Sequence, residues 1–176
     1  MTKFNVILVG FMGTGKTATG LVLASRMKYR LVDMDAVIER RAGKKISKIF
    51  AEDGEAEFRQ YERVLVQELA GRRGLVVAAG GGVVLNPDNL RDFSRTGVVV
   101  CLKASKDAIL RRVRGHSHRP LLEDGDKERR IIELLEKRKP LYDAIPHQID
   151  TTDLSPEATA GLIMGIYAKA VDSMRE

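Results

Sequence analysis

The sequence has no tryptophan, one cysteine (Cys101) in 176 residues, and an aromatic content of only 5%. A lone cysteine excludes an internal disulfide, and Cys101 lies within the apolar run GVVVCLKA, where it reads as a buried core residue of a cytoplasmic protein. No apolar run approaches the length that crosses a bilayer, so no membrane partner is expected. The amino terminus, MTKFNVILVGFMG, lacks a small-residue cleavage site before its glycines and reads as a first strand rather than a signal peptide. The scarcity of aromatics also removes the stacking platforms of single-strand nucleic-acid binders. The formal net charge of +6 therefore calls for another explanation. Many of the bases fall between Lys103 and Lys139, interleaved with acids, which suits small anionic ligands better than a nucleic-acid partner.

What remains is ordinary for a soluble globular chain, with 44% hydrophobic and 31% charged residues. The length suits a single domain over residues 1–176 with a sizeable core. Apolar strand-like runs (FNVILVG, YRLVD, LVVAAG, GVVVCLK, HQIDT) alternate with amphipathic stretches (GKTATGLVLASRM, PDNLRDFSRT, SKDAILRRVRG, SPEATAGLIMGIYAKAV). A long helical region is expected from about Ala36 to Arg72. Such alternation predicts an α/β fold, a parallel sheet between two helical layers, with ligands at the carboxyl ends of the strands. Between Gly115 and Glu128 the pattern dissolves into HSHRPLLEDGDKE, a polar, turn-rich stretch long enough to suggest function. His116 and His118 lie in it without a third metal ligand nearby and read as surface.

Gly10-Phe-Met-Gly-Thr-Gly15-Lys16-Thr17 fits GxxxxGK[ST], with a strand before it and a helix after. Glycines let backbone N–H groups converge on phosphate oxygens, Lys16 adds a charge and the Thr17 hydroxyl reaches a magnesium ion. The motif predicts a nucleoside triphosphate with Mg2+. In LVDMDAVIE, Asp33 and Asp35 stand two apart at a strand end, on one side if the chain is still extended there. One acid would complete the metal's coordination and the other would accept or orient a hydroxyl proton. For Asp35 the competing role is a helix N-cap ahead of AVIERRA; Asp33 is harder to explain as a cap.

Arg59, Arg119 and Arg138 differ from Arg40, Arg41, Arg72 and Arg73 in lying beside an aromatic residue or a proline. Each alone reads as a surface charge; together they suggest bidentate recognition of carboxylate or phosphate. Glu62, three residues after Arg59, shares its helix face and could hold the fork. Three consecutive glycines, Gly80, Gly81 and Gly82, follow LVVAA, at a cost on the order of 1.5–3 kcal/mol relative to alanines. No acid precedes them, which hands the metal role to Asp33, and bare backbone at a strand end lets a ligand ring lie against it. The alternative is a flexible turn into VVLNPDN.

The ordered set GFMGTGKT, DMD, GEAEFRQYE, AAGGG, RPLL and RKPLYD closely resembles the shikimate kinase family over nearly the whole chain. That resemblance implies a P-loop, nucleoside-monophosphate-kinase-like fold with a five-stranded parallel sheet. It also implies ATP-dependent phosphorylation of the shikimate 3-hydroxyl, on the route to chorismate and the aromatic amino acids. Carried over by motif, Lys16 and Thr17 hold phosphate and Mg2+, with Gly13, Thr14, Gly15 and Ala18 completing the nucleotide cradle. Asp33 assists the metal through water, Asp35 holds the reacting hydroxyl, and Arg59 and Arg138 clamp the carboxylate. Gly80, Gly81 and Gly82 floor the substrate pocket. Arg119 belongs to a lid over about residues 114–126 and approaches the transferring phosphate. Arg112 and Pro156 border the adenine, a place that Arg111 or Arg114 could also fill. The chain departs from the family at Leu21, often an arginine, and in its own lid sequence, GHSHRP. A monomer using ATP and shikimate is expected, and the rivals are a gluconate or nucleotide kinase of the same fold, a silent nucleotide-binding module, and a nucleic-acid binder.

Overall fold

A computed structural model describes residues 3–114 and 126–174. Among them, strands β1 (Asn5–Val9), β2 (Arg30–Asp33), β3 (Leu75–Ala78), β4 (Gly97–Lys103) and β5 (His147–Asp150) form one sheet in the order β2-β3-β1-β4-β5. Every pairing is parallel, and central β1 sets Val6 opposite both Val76 and Val98. Side chains alternate between faces along a strand, so a strand covered on both sides must be apolar throughout. Val6, Ile7, Leu8 and Val9 meet that demand, all fully buried, while the buried Asn5 side chain donates to the Arg72 carbonyl (2.8 Å) and accepts from Leu75 N–H (3.0 Å).

Val6, Leu8, Val76, Val98 and Val100 face helices α1 (Lys16–Met27) and α8 (Pro156–Ser173) through Leu23, Ala160 and Ile163. Ile7, Val9, Val77, Val99 and Cys101 face the other way. There they meet α2 (Met34–Ala42), α4 (Gly54–Ala70), α5 (Pro87–Ser94), α6 (Lys106–Arg114) and α7 (Lys127–Asp143), through residues such as Ile38, Leu65, Phe93, Ile109 and Ile131. The result is a three-layer α/β/α sandwich, and burying each such aliphatic side chain contributes roughly 1.5–3 kcal/mol. Among the described residues, no helix is long and apolar enough to cross a membrane.

The structure corrects three expectations. The helical region from Ala36 to Arg72 is broken into α2, a single turn α3 (Ile46–Lys48), a π-helical turn (Ile49–Asp53) and α4. Gly43 (φ 69°, ψ 15°) adopts the left-handed backbone that ends α2, and Gly54 (φ 87°, ψ 166°) takes a conformation open mainly to glycine that separates the π-helical turn from the rest of α4. A helix absent from the sequence reading, α7, fills KERRIIELLEKRKPLYD, with the Asp126 side chain capping its start through Arg129 N–H. Its charge density and internal Pro140 hid a buried stripe of Ile131, Arg138 and Tyr142. Finally, the helix after β2 begins at Met34, so Asp33 and Asp35 are not strand neighbours. Asp33 is the N-cap, accepting from Ala36 N–H at 3.2 Å, and Asp35 sits in the first turn.

Candidate active site

The carboxyl ends of β1, β2, β3 and β5 surround two adjoining cavities. The larger, about 640 Å³, is lined by residues 12–19, Asp33, Asp35, Arg112, Thr151, Leu154 and Pro156, among others. The smaller, about 340 Å³, is lined by Glu39, Ile46, Phe50, Phe58, Arg59, Glu62, the three glycines and Arg138. Met12, Asp33, Asp35 and Gly81 line both. The two spaces therefore meet at a pair of carboxylates.

The larger cavity wraps the loop between β1 and α1. Gly13 (φ 77°) and Gly15 (φ 92°) adopt left-handed backbone that a side chain would strain, and this curls the chain so that α1 opens toward the cavity. Thr14 is buried, its hydroxyl donating to the Phe11 carbonyl (2.8 Å) and its own carbonyl accepting from Thr151 Oγ1 (2.9 Å). Lys16 Nζ bridges the loop by donating to the carbonyls of Gly10 (2.7 Å) and Phe11 (2.9 Å). Thr17 Oγ1 donates to Asp33 Oδ2 at 2.9 Å. A hydroxyl and a carboxylate in contact at a helix start are hard oxygen donors, as Mg2+ requires, and Mg2+ commonly takes one or two such groups with phosphate and water. The described residues contain no cluster of three His, Cys, Asp or Glu that could hold a metal alone. Ala18 lies exposed in the first turn of α1 and lines the same space.

Arg112, on α6, donates to Gly13 O (3.0 Å), Thr151 O (2.7 Å) and Thr152 O (3.3 Å), fastening the phosphate loop to the turn after β5. It lines the cavity, as does Pro156, the first residue of α8 behind the Ser155 cap, whereas Arg114 instead pairs with Glu128. Arg119, His116, His118 and most of the expected lid lie outside the described residues.

The smaller cavity holds the charges that favour an anion. Arg59 donates to Glu62 Oε1 (3.0 Å) and to Glu55 Oε1 (3.1 Å), so its fork is held as Glu62 was expected to hold it, with Glu55 adding a second contact. Glu62 is only 2% exposed; burial pushes its carboxyl above the usual range while the Arg59 guanidinium pulls it back. Arg138 is 6% exposed, and no described carboxylate stands within ion-pair distance of it. A buried guanidinium so placed favours an incoming carboxylate strongly. Phe50 and Phe58 pack ring to ring, centroids 4.9 Å apart, and give the cavity an apolar wall.

All three glycines line the smaller cavity, and two of them also make room for neighbouring side chains. A Cβ on Gly82 would stand 2.4 Å from the Arg59 guanidinium, and one on Gly80 would stand 3.0 Å from Asp35 Oδ1 and 3.1 Å from Glu62 Oε2. These two positions are bare to admit the protein's own Arg59, Asp35 and Glu62. Gly81 is the least crowded of the three, since a Cβ there would make only ordinary contacts, the nearest at 3.7 Å with Arg138 Nη1. Tyr142, within RKPLYD, has no role legible in the sequence; its hydroxyl donates to the Gly81 carbonyl at 2.5 Å. The signal was its spacing of four from Arg138, visible only once 127–143 is read as a helix.

A sequence model of shikimate kinase matches residues 12–167. The shikimate kinase of Pelotomaculum thermopropionicum is 47% identical over 151 residues, covering 86% of this chain and 88% of its own. That of Desulforudis audaxviator is 50% identical over 160 residues, covering 91% and 84%. Among solved structures, shikimate kinase from Acinetobacter baumannii in complex with shikimate superposes with a TM-score of 0.90 at 35% identity, covering 96% of this chain and 95% of that one. A gluconokinase from Sinorhizobium meliloti shares the fold alone, with a TM-score of 0.61 at 16% identity and 98% coverage of both chains. The chain belongs to the shikimate kinase family.

Proposed function

We propose that this protein transfers the γ-phosphoryl group of ATP to the 3-hydroxyl of shikimate, forming shikimate 3-phosphate on the route to chorismate. The observation that carries this reading is the junction of the two cavities at Asp33 and Asp35: a phosphate loop opens on one side and an arginine-lined chamber on the other. ATP occupies the larger cavity, its phosphates against residues 13–18 and its base between Arg112 and Pro156. Shikimate occupies the smaller one, its carboxylate on Arg138 and Arg59 and its ring between the glycine floor and the phenylalanine wall. Its reacting hydroxyl then points to the shared wall, where the Asp35 carboxylate accepts a hydrogen bond from it and aligns the oxygen with the γ-phosphorus. The hydroxyl oxygen forms the new P–O bond and gives up its proton to the Asp35 carboxylate or to water as the bond to the β-phosphate bridging oxygen breaks, leaving ADP. Phosphoryl transfer asks the protein mainly for positioning and positive charge, and Lys16 supplies that charge, with Arg119 in the same role by motif. Mg2+, held through Thr17 and Asp33, neutralises phosphate charge when bound.

We also propose that the whole chain works as one monomeric catalytic unit in the cytoplasm, without nucleic-acid or membrane partners. Light scattering should return about the chain mass of 19.5 kDa, and twice that value overturns the monomer. ADP release measured separately with shikimate, gluconate and nucleoside monophosphates tests the reaction. Turnover with shikimate is expected. Turnover with only gluconate or a nucleoside monophosphate assigns the protein to a different kinase activity.

A further inference from the structure

The floor and the anion-reading wall of the smaller cavity are coupled by one side chain that touches neither cavity opening. Tyr142, 3% exposed, donates its hydroxyl hydrogen to the Gly81 carbonyl across 61 positions of sequence. The Arg138 guanidinium stands beside the same hydroxyl and interacts with it. Arg138 and Tyr142 are four apart on α7, both buried, and so share one helix face. Gly81 closes the triangle, because its missing Cβ would lie 3.7 Å from Arg138 Nη1.

We infer that Tyr142 is a positioning residue for the substrate carboxylate: its hydroxyl, anchored on the Gly81 carbonyl, holds the Arg138 fork at a set height above the glycine floor. This rests on the reading that the smaller cavity receives shikimate. A buried phenol needs some acceptor, and any core carbonyl would satisfy it. Here the acceptor is the cavity floor and the neighbour is the buried cation that lines the cavity. Burial pushes the hydroxyl up to about 12 against the opposing pull of Arg138, so it remains a donor throughout the working pH range. Pro140 adds a reason for such a tether. Lying between the two residues, it cannot donate a backbone hydrogen bond, which loosens the last turns of α7 where Arg138 must be held.

Tyr142→Phe removes the hydroxyl and leaves the ring packed. Shikimate KM should rise about fivefold to tenfold, the range expected when a buried hydrogen bond that orders a binding group is lost. ATP KM and the urea midpoint should stay near wild type. An unchanged shikimate KM, or a parallel rise of both KM values with a lower urea midpoint, overturns the inference in favour of plain core packing. A second variant checks the route. In an Arg138→Lys background the added Tyr142→Phe should change shikimate KM little, since the fork it positions is gone. An undiminished effect there overturns action through Arg138. Wild-type protein that releases no ADP with shikimate overturns the functional reading and this inference with it. Active wild type with an unaffected Tyr142→Phe overturns this inference alone.

Discussion

Asp33 serves two needs with one carboxylate: Oδ1 caps α2 and Oδ2 accepts from the Thr17 hydroxyl at the proposed metal site. The two can be separated, because asparagine caps a helix as well as aspartate but brings no charge to a cation. Asp33→Asn should leave the thermal midpoint within about 2 °C of wild type while raising the Mg2+ concentration for half-maximal activity several-fold. A midpoint drop with unchanged Mg2+ dependence would make Asp33 a cap only. Asp35 carries no cap and lines both cavities, which places its carboxylate where the proposed reacting hydroxyl would lie. We expect Asp35→Asn to lower kcat by at least about 100-fold, with ATP affinity by calorimetry nearly unchanged. Near-wild-type turnover would remove Asp35 from the mechanism.

Elements decide how close these residues come. The strand end after β3 runs between α2 and α4 so tightly that Gly80 and Gly82 leave space for Asp35, Glu62 and Arg59. Gly82→Ala forces a Cβ to within 2.4 Å of the Arg59 head, and a flexible guanidinium yields before backbone does. The fold should survive, with a urea midpoint near wild type, and shikimate KM should rise about tenfold as the displaced fork loses its place. Gly81→Ala, whose Cβ has ordinary clearance, should act more mildly; equal effects at both positions would count against the close-approach explanation. Much at this scale was legible in the sequence. Strand–glycine loop–helix and the continuous apolar runs follow from local patterning, and all five strands appear where the apolar runs put them. Helix α7 and the breaks at Gly43 and Gly54 were not, because a charged helix with an internal proline has weak periodicity, and a glycine between helix-forming residues is compatible with either a continued or an ended helix.

Across the whole molecule, the sheet that carries the site also buries Cys101, and burial pushes its thiol from the usual 9.0 up to about 11. Below pH 9 both folded and unfolded chains hold the thiol proton; between about 9 and 11 the unfolded thiol ionises while the buried one does not. Stability should therefore fall as pH rises through that window, by about 1–2 kcal/mol from this residue. Urea midpoints of wild type and Cys101→Val at about pH 8.5 and 10.5 isolate it: the variant should lose less, and equal losses would remove Cys101 as a cause. The sequence alone determined the α/β class, the phosphate loop, and the identities of the acids and arginines, since each depends on residue type at short spacing. Only the tertiary structure decided that Asp33 rather than Asp35 caps the helix, that two glycines make room for the protein's own charged groups, and that Tyr142 reaches Gly81. The cap is a local contact that depends on where β2 ends, whereas the other two join segments distant in the chain, set by how α4 and α7 pack on the sheet, and no local pattern encodes the distance between them.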